Sequence, residues 1–296
     1  MEEVLEINNL YKQYGKHTVA VDGLSLTIKK GDVFGLLGPN GSGKTTTLAV
    51  IMDIIKQQRG TYSWFGQYNV WKVKKRIGSL IETPNFYPYL TVCQNLQIVS
   101  KIKGVADNDI GRVLHIVNLV HKKNSKYNTL SLGMKQRLAI ASLLLGDPEV
   151  LVLDEPANGL DPEGIAEVRN IITSEALKNK TIILASHILD EVEKVCSSVG
   201  ILKKGKLIAT GNVRELLAKD DLIIISADRI GELYELIVRA GVTKTIEKYD
   251  NELALTLNEN FSCSGLNELA FNNGFVLSKL EIRKKSLESQ FLEIVK

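Results

Sequence analysis

The stretch GPNGSGKTT, from Gly38 to Thr46, restricts the possible folds of this chain more than any other. It carries the pattern G-x-x-x-x-G-K-[ST], and its flanks supply the setting that pattern needs. The apolar run GDVFGLLG before it reads as a buried strand. A helix is expected after it, from about Lys44 to Ile55. Glycines let the backbone curl until several amides point at one anion. Strand, curled loop and helix in that order form one unit of a parallel α/β sheet. In such a loop Lys44 reaches the β- and γ-phosphates of a nucleotide, and the Thr45 hydroxyl coordinates Mg²⁺.

Two further apolar runs end in polar groups of matching chemistry. VLVLDEP places Asp154 at the end of a buried strand, where a carboxylate can hold Mg²⁺, and Glu155 next to it, where it can polarise a water. ILASHILDE ends a second buried strand in Ser186 and His187. Either run alone is a common strand ending. With the phosphate loop upstream, both strands are expected in one sheet, with His187 near the γ-phosphate. The residues alone therefore point to a Mg²⁺-dependent nucleoside triphosphatase, with the base left open.

A second anion site is suggested by NTLSLGMKQRL, from Asn128 to Leu138. Ser131 stands at a helix N-cap, and the free amides of a helix start attract an anion. Nothing nearby in the sequence supplies one.

Along the chain, strand signals (VLEINNL, VDGLSLTI, TYSWFG, RIGSLI) alternate with helices, then turn mostly helical between about Thr91 and Gly146. PEVLVLD, KTIILAS and SVGILKK resume the sheet. The rhythm changes near IATGNVRELLAKDD. Beyond it DLIIISA, GELYELIVRA, VTKTIEKY, ELALTLN, GLNELAFNN and FVLSKLEI follow the order βαββαβ, the ferredoxin-like order, and SLESQFLEIV is expected as a closing helix. The expected division is 1–212 and 213–296, with a helical subdomain over about 88–146.

The composition excludes several function classes. Cys93, Cys196 and Cys263 are far apart and form no CxxC, which argues against a disulfide framework or a zinc site. A formal net charge of +3 is too small to argue for nucleic acid or an acidic membrane surface. No run approaches the roughly 20 apolar residues of a membrane span. The start, MEEVLEINNL, lacks the basic and apolar parts of a signal peptide.

In order and spacing, GPNGSGKTT, LSLGMKQRLAIA, VLVLDEPANGLDP and ILASH resemble the ATP-binding-cassette ATPases over roughly Leu5 to Gly211. The resemblance implies an α/β phosphate-loop NTPase with an antiparallel β subdomain and an inserted helical subdomain, here followed by the small α+β domain. It implies ATP and Mg²⁺ as ligands. The nucleotide would be held by Tyr14 against adenine and by Gly38, Pro39, Asn40, Gly41, Ser42, Gly43, Lys44, Thr45 and Thr46. Thr45 and Asp154 would hold the metal, and Glu155 and His187 would serve catalysis. The motif LSLGM would bind the γ-phosphate on a second, head-to-tail cassette through Ser131 and Gly133, and Asp161 would join the two sites. Two positions depart from the family pattern. Leu132 and Met134 replace Gly and Gln, and Glu82 replaces the Gln that contacts Mg²⁺ and the attacking water. Glu82 is accordingly expected as both a catalytic and a metal-site residue.

These departures, with NGLDP, resemble the bacitracin- and lantibiotic-resistance exporters. The chain is thus expected to drive export of, or resistance to, an antimicrobial peptide or similar amphiphile. It would be cytoplasmic, held on the inner face of the membrane by a separate permease that the aromatic loop NFYPYL could engage. Rival readings are a soluble cassette ATPase acting on nucleic acid or ribosomes, a small-molecule kinase, and a subunit exporting another cargo. A kinase would leave LSLGM and ASH without a task.

Overall fold

The computed structural model describes residues 2–82, 85–213, 221–258 and 260–283. The chain divides into two compact units, Met1–Asn212 and Val213–Lys296.

The first unit begins with an antiparallel sheet of β1 (Glu3–Tyr14), β2 (Thr18–Lys29) and β4 (Arg59–Trp64), in the order β2-β1-β4. Its alternating apolar residues turn one face inward, so that Leu5, Ile7, Leu10, Leu24 and Ile28 are buried. Burying each such side chain contributes about 1.5–3 kcal/mol. Trp64, fully buried, anchors this sheet to the next layer through Nε1–H, which donates to the Ile51 carbonyl at 2.7 Å.

The second sheet has six strands in the order β5-β6-β7-β3-β8-β9. They are β3 (Val33–Leu37), β5 (Ile77–Leu80), β6 (Val150–Asp154), β7 (Thr181–Ser186), β8 (Ser198–Lys203) and β9 (Lys206–Asn212). The first five in the spatial order run parallel, and β9 returns antiparallel to β8. Every residue of β3, β6 and β7 is buried, which accounts for their unbroken apolar runs. Strand β7 lies between β3 and β6, so their three carboxyl ends are neighbours. In open α/β sheets that edge is where ligands bind.

Helix α1 (Lys44–Ile51) is shorter than expected. Asp53 adopts the left-handed conformation, φ 58°, and the Ile54 and Ile55 amides turn back to the Ala49 carbonyl, which ends the helix. The helical insertion holds α2 (Val92–Lys103), α3 (Asp109–Ile116) and α4 (Leu132–Leu144). Thr91 and Gln94 form a capping box at the start of α2, and Gly104, φ 66°, ends it. The carboxyl end of α4 is held by two cations. Lys103 Nζ donates to the carbonyls of Ser142, Leu143 and Leu145, and Arg112 donates to that of Leu144. Helices α5 (Pro162–Ala176) and α6 (Leu189–Val195) complete the unit.

The second unit is a four-stranded sheet of β10 (Leu222–Ser226), β11 (Thr243–Lys248), β12 (Leu253–Leu257) and β13 (Lys279–Arg283). The order is β11-β12-β10-β13 with every neighbour antiparallel. Helix α7 (Ile230–Ala240) and helix α8 (Cys263–Asn272) occupy the two connections, giving the ferredoxin-like order. Ile223, Ile225, Leu253 and Leu255 pack with Leu233, Ile237 and Leu266. The expected closing helix SLESQFLEIV, and most of VRELLAKDD, lie outside the described residues.

Candidate functional site

The loop after β3 is shaped by two close approaches that only glycine permits. A Cβ on Gly43, φ 105°, would lie 2.1 Å from the Ala20 carbonyl oxygen of β2. A Cβ on Gly38 would lie 2.4 Å from the Leu202 carbonyl oxygen and from Ser42 Oγ. Helix α1 begins at Lys44 with no side-chain cap, so its first amides are left for a ligand. Ser42 Oγ is buried and has no hydrogen-bond partner.

Lys44 is buried, and its Nζ donates to the Gly38 carbonyl at 2.8 Å. The same nitrogen lies 3.4 Å from Glu155 Oε1. The other oxygen of that carboxylate, Oε2, lies 2.8 Å from His187 Nδ1. A carboxylate only accepts, so Nδ1 carries the proton in this contact. Glu155 sits at φ 48°, a conformation costly for a residue with a side chain. Its amide donates to the Ala185 carbonyl of β7 at 2.9 Å, which fixes the turn beyond β6.

Asp154, the last residue of β6, is buried, and its Oδ1 has no partner. Burial holds its carboxyl above the ordinary carboxylate range. A hydrogen bond from Thr45 and the charge of Lys44 oppose that shift, while Glu155 and Glu82 add to it. A buried, unpartnered carboxylate oxygen beside a threonine hydroxyl suits a hard cation. Among the described residues no three His, Cys, Asp or Glu side chains cluster to hold a metal by themselves. Mg²⁺ needs no such cage, because it keeps waters and takes substrate phosphates as ligands. Glu82 follows β5, is exposed, and also has a left-handed backbone, φ 60°.

Tyr14 stands at the end of β1, 46% exposed, with Lys12 Nζ 5.4 Å from its ring centre. It pairs with Thr18 on β2, two residues from the Ala20 that abuts Gly43. Ser131, Gly133 and Asp161 form a separate group. They line a cleft of about 570 Å³ together with Leu132, Met134 and Gly159. Ser131 caps α4, its Oγ accepting from the Met134 amide at 3.3 Å. Asp161 caps α5 in the same way, accepting from the Gly164 amide at 3.0 Å. The two helix starts meet at glycines, Gly133 and Gly164.

One residue of this cleft was missed in the sequence. Arg137, buried, donates from Nη1 to the Val117 carbonyl at 3.1 Å and sets Nε 3.2 Å from Glu167 Oε2. It ties α4 to α5. The available signal was a lone arginine at the head of the apolar run RLAIASLLL. Cys196, by contrast, is inert, because burial pushes its thiol up to about 12.

Comparison with known proteins agrees with this geometry. Residues 21–158 match the family described as ABC transporter. The bacitracin transport ATP-binding protein BcrA of Bacillus licheniformis is 38% identical over 304 residues, covering 100% of this chain and 98% of that protein. The lantibiotic transport ATP-binding protein SrtF of Streptococcus pyogenes is 40% identical over 205 residues, 69% of this chain and 89% of that protein. Among solved structures, cbiO1 from Clostridium perfringens, part of the ABC transporter complex cbiONQ, superimposes with a TM-score of 0.66 at 27% identity. That match covers 81% of this chain and 97% of the other. With its phosphate loop, the carboxylates after β6 and the histidine after β7 gathered at one sheet edge, the chain belongs to the ATP-binding-cassette family of transporter ATPases.

Proposed function

We propose that this chain is the ATP-hydrolysing subunit of a membrane exporter for an antimicrobial peptide or a similar amphiphile, acting as a pair of cassettes with a separate permease. The observation that carries the enzymatic part is the chain of contacts from Lys44 to Glu155 to His187, beside the unpartnered Asp154. The bacitracin and lantibiotic transport relatives support the cargo class. No helix among the described residues is long and apolar enough to cross a membrane.

In this reading adenine stacks on Tyr14 and the phosphates lie in the loop from Gly38 to Thr46. Lys44 exchanges the Gly38 carbonyl and Glu155 for phosphate oxygens. Thr45 and Asp154 would hold Mg²⁺, with Glu82 nearby, and the metal would supply charge neutralisation to the phosphates. Losing Lys44 leaves Glu155 unpaired on one oxygen, free to take a proton from the attacking water. His187 keeps the other oxygen in place and meets the γ-phosphate. Ser131 and Gly133 of a second cassette close over that phosphate, and Asp161 joins the two sites. NFYPYL and the segment around it engage the permease and transmit the cycle. The subunit then sits at the cytoplasmic face of the membrane.

The test is isolation of the chain from its native membranes under mild detergent. The expected result is a multi-span partner in stoichiometric amount, with ATP hydrolysis stimulated by the cargo peptide. A chain that emerges alone, or bound to ribosomes or nucleic acid, overturns the reading.

A further inference from the structure

Charge on this nearly balanced chain is unevenly placed. Between Asp53 and Glu82 there is no acidic residue, whereas Lys56, Arg59, Lys72, Lys74, Lys75 and Arg76 all fall there. Two of these cations are spent within the fold. Arg59 lies over Tyr11, and Arg76 makes a two-point contact with Glu149. Lys72, Lys74 and Lys75 are exposed, and among the described residues no carboxylate pairs with any of them.

The same segment displays two large aromatic side chains to solvent. Tyr68 is 70% exposed and Trp71 72%. Both stand at a short 3₁₀ turn that is rigidly set. The Asn69 side chain accepts from the Trp71 amide, and Val70 and Val73 are buried beneath. Lys74 Nζ lies 4.3 Å from the Trp71 ring centre. Lys75 extends toward Gly104, and Ile102, two residues before it, is 80% exposed. Asp53, which borders this surface, is engaged by the Tyr62 hydroxyl.

A rigid turn bearing Trp, Tyr and unpaired lysines has the composition of a membrane-interface anchor. Amphipathic rings settle at headgroup depth, and lysines are drawn to an anionic leaflet. The turn is held by packing from below, so docking need not order its backbone. We propose that Tyr68, Trp71, Lys72, Lys74 and Lys75 form a contact surface for the anionic lipid bilayer, independent of the permease. This rests on the membrane reading above, and gives the cassette a second, weak attachment.

Each lysine near an anionic surface raises partitioning about five-fold, so three together give roughly a hundred-fold preference. The test uses the purified full chain with vesicles of phosphatidylglycerol and phosphatidylcholine, against phosphatidylcholine alone. Flotation is expected with the anionic vesicles, weakening as salt rises. The chain has two tryptophans, one buried and one exposed, so emission reports the site directly. A blue shift on anionic vesicles is expected from Trp71 and is expected to vanish in Trp71→Phe, where the buried Trp64 remains. The combined change Lys72→Glu, Lys74→Glu, Lys75→Glu should abolish flotation while leaving ATP hydrolysis unchanged, since none of these residues lies in the phosphate loop or the α4 cleft. Equal partitioning into both vesicle types overturns the proposal, as does a charge-reversed variant that still floats. So does loss of permease co-purification by that variant in lipid-free detergent, which would assign the surface to a protein. A chain that hydrolyses ATP and keeps its permease but ignores vesicles removes this proposal and leaves the exporter reading standing.

Discussion

In the proposed mechanism helices α1 and α4 both open toward an anion, but they do so differently. The start of α1 has no side-chain cap and is surrounded by catalytic chemistry from the same chain, with Lys44, Asp154, Glu155 and His187 in contact or near contact. The start of α4 is already capped by Ser131, and its cleft is lined by Asp161, Glu163 and Glu167. Its arginine, Arg137, is committed to Glu167 and a carbonyl. A phosphate entering that cleft meets carboxylates and has to bring its own counter-charge. The α1 site therefore takes its lysine and carboxylates from one molecule, whereas in the proposed pair of cassettes the α4 cleft would receive an anion delivered already neutralised. That is the arrangement the proposed two-cassette assembly would use.

The largest test of that contrast is Glu155→Gln. Removing the proton acceptor from the α1 site should slow ATP hydrolysis roughly 10²–10⁴-fold, the range for a lost general base. ATP should still bind, because the loop is untouched, and the cassette pair should accumulate. Hydrolysis in single turnover and size on a sizing column read the two halves. A variant that binds ATP and stays monomeric even with its permease breaks the comparison.

Gly133→Ala probes the other helix. A Cβ there would meet only the Gly164 Cα, at 4.0 Å, an ordinary contact, so the fold and ATP binding by the isolated chain should be unchanged. Turnover should nonetheless fall roughly ten-fold if a partner's phosphate comes up against this backbone, a loss of about 1.4 kcal/mol in transition-state binding. Unchanged turnover would mean that α4 faces solvent throughout the cycle.

Both helix starts could be read in the sequence, because each rests on local chemistry: a glycine pattern in one case, a serine cap in the other. The buried strands β3, β6 and β7 were equally legible, since a strand covered on both faces has to be apolar throughout. What escaped was set by distant partners. Strands β1 and β2 are longer than VLEINNL and VDGLSLTI suggest, because their pairing runs on through several register shifts. Strand β9, in a stretch read as a break, exists because β8 offers an edge to pair with. The left-handed backbones of Asp53, Glu82 and Glu155 are invisible in residue type, as each is imposed by the surrounding fold. The order of the second unit was legible from βαββαβ alone, and its sheet order follows from that connectivity.

Asp154→Asn addresses the α1 site without a nucleotide. Burial raises the Asp154 carboxyl above its ordinary value, so the native state keeps that proton to a higher pH than the unfolded chain does. Its contribution to stability is therefore fully present at acid pH. It is lost as pH rises from the ordinary carboxylate value through the raised one. The nucleotide-free Asn variant should gain about 1 kcal/mol at neutral pH, because a neutral amide costs less to bury than an ionised carboxylate. Its stability should also depend less on pH in that window. Urea denaturation with and without Mg²⁺ and ATP reads this directly. The native chain should be stabilised strongly by the ligands, and the variant, which keeps the loop but loses the metal carboxylate, less so. A variant less stable than the native chain without ligand would show that Oδ1 is satisfied in solution.

The smallest expected effect is that of Glu82→Gln, and it sharpens the comparison where the chain departs from its family. Glu82 is exposed, and its charge adds, after burial and Glu155, to the upward shift of the Asp154 carboxyl. Solvent screening limits such a group to an effect of a few fold. The backbone at φ 60° accepts Gln as readily as Glu, so folding should not change. With one carboxylate fewer beside the metal site, half-saturation by Mg²⁺ should require roughly three times as much metal. ATP hydrolysis at saturating Mg²⁺ should stay within about ten-fold of the native rate. A titration of hydrolysis against Mg²⁺, with the permease present, separates the two quantities. Identical curves for the two proteins would remove Glu82 from the site and leave the α1 end resting on Thr45, Asp154 and Glu155.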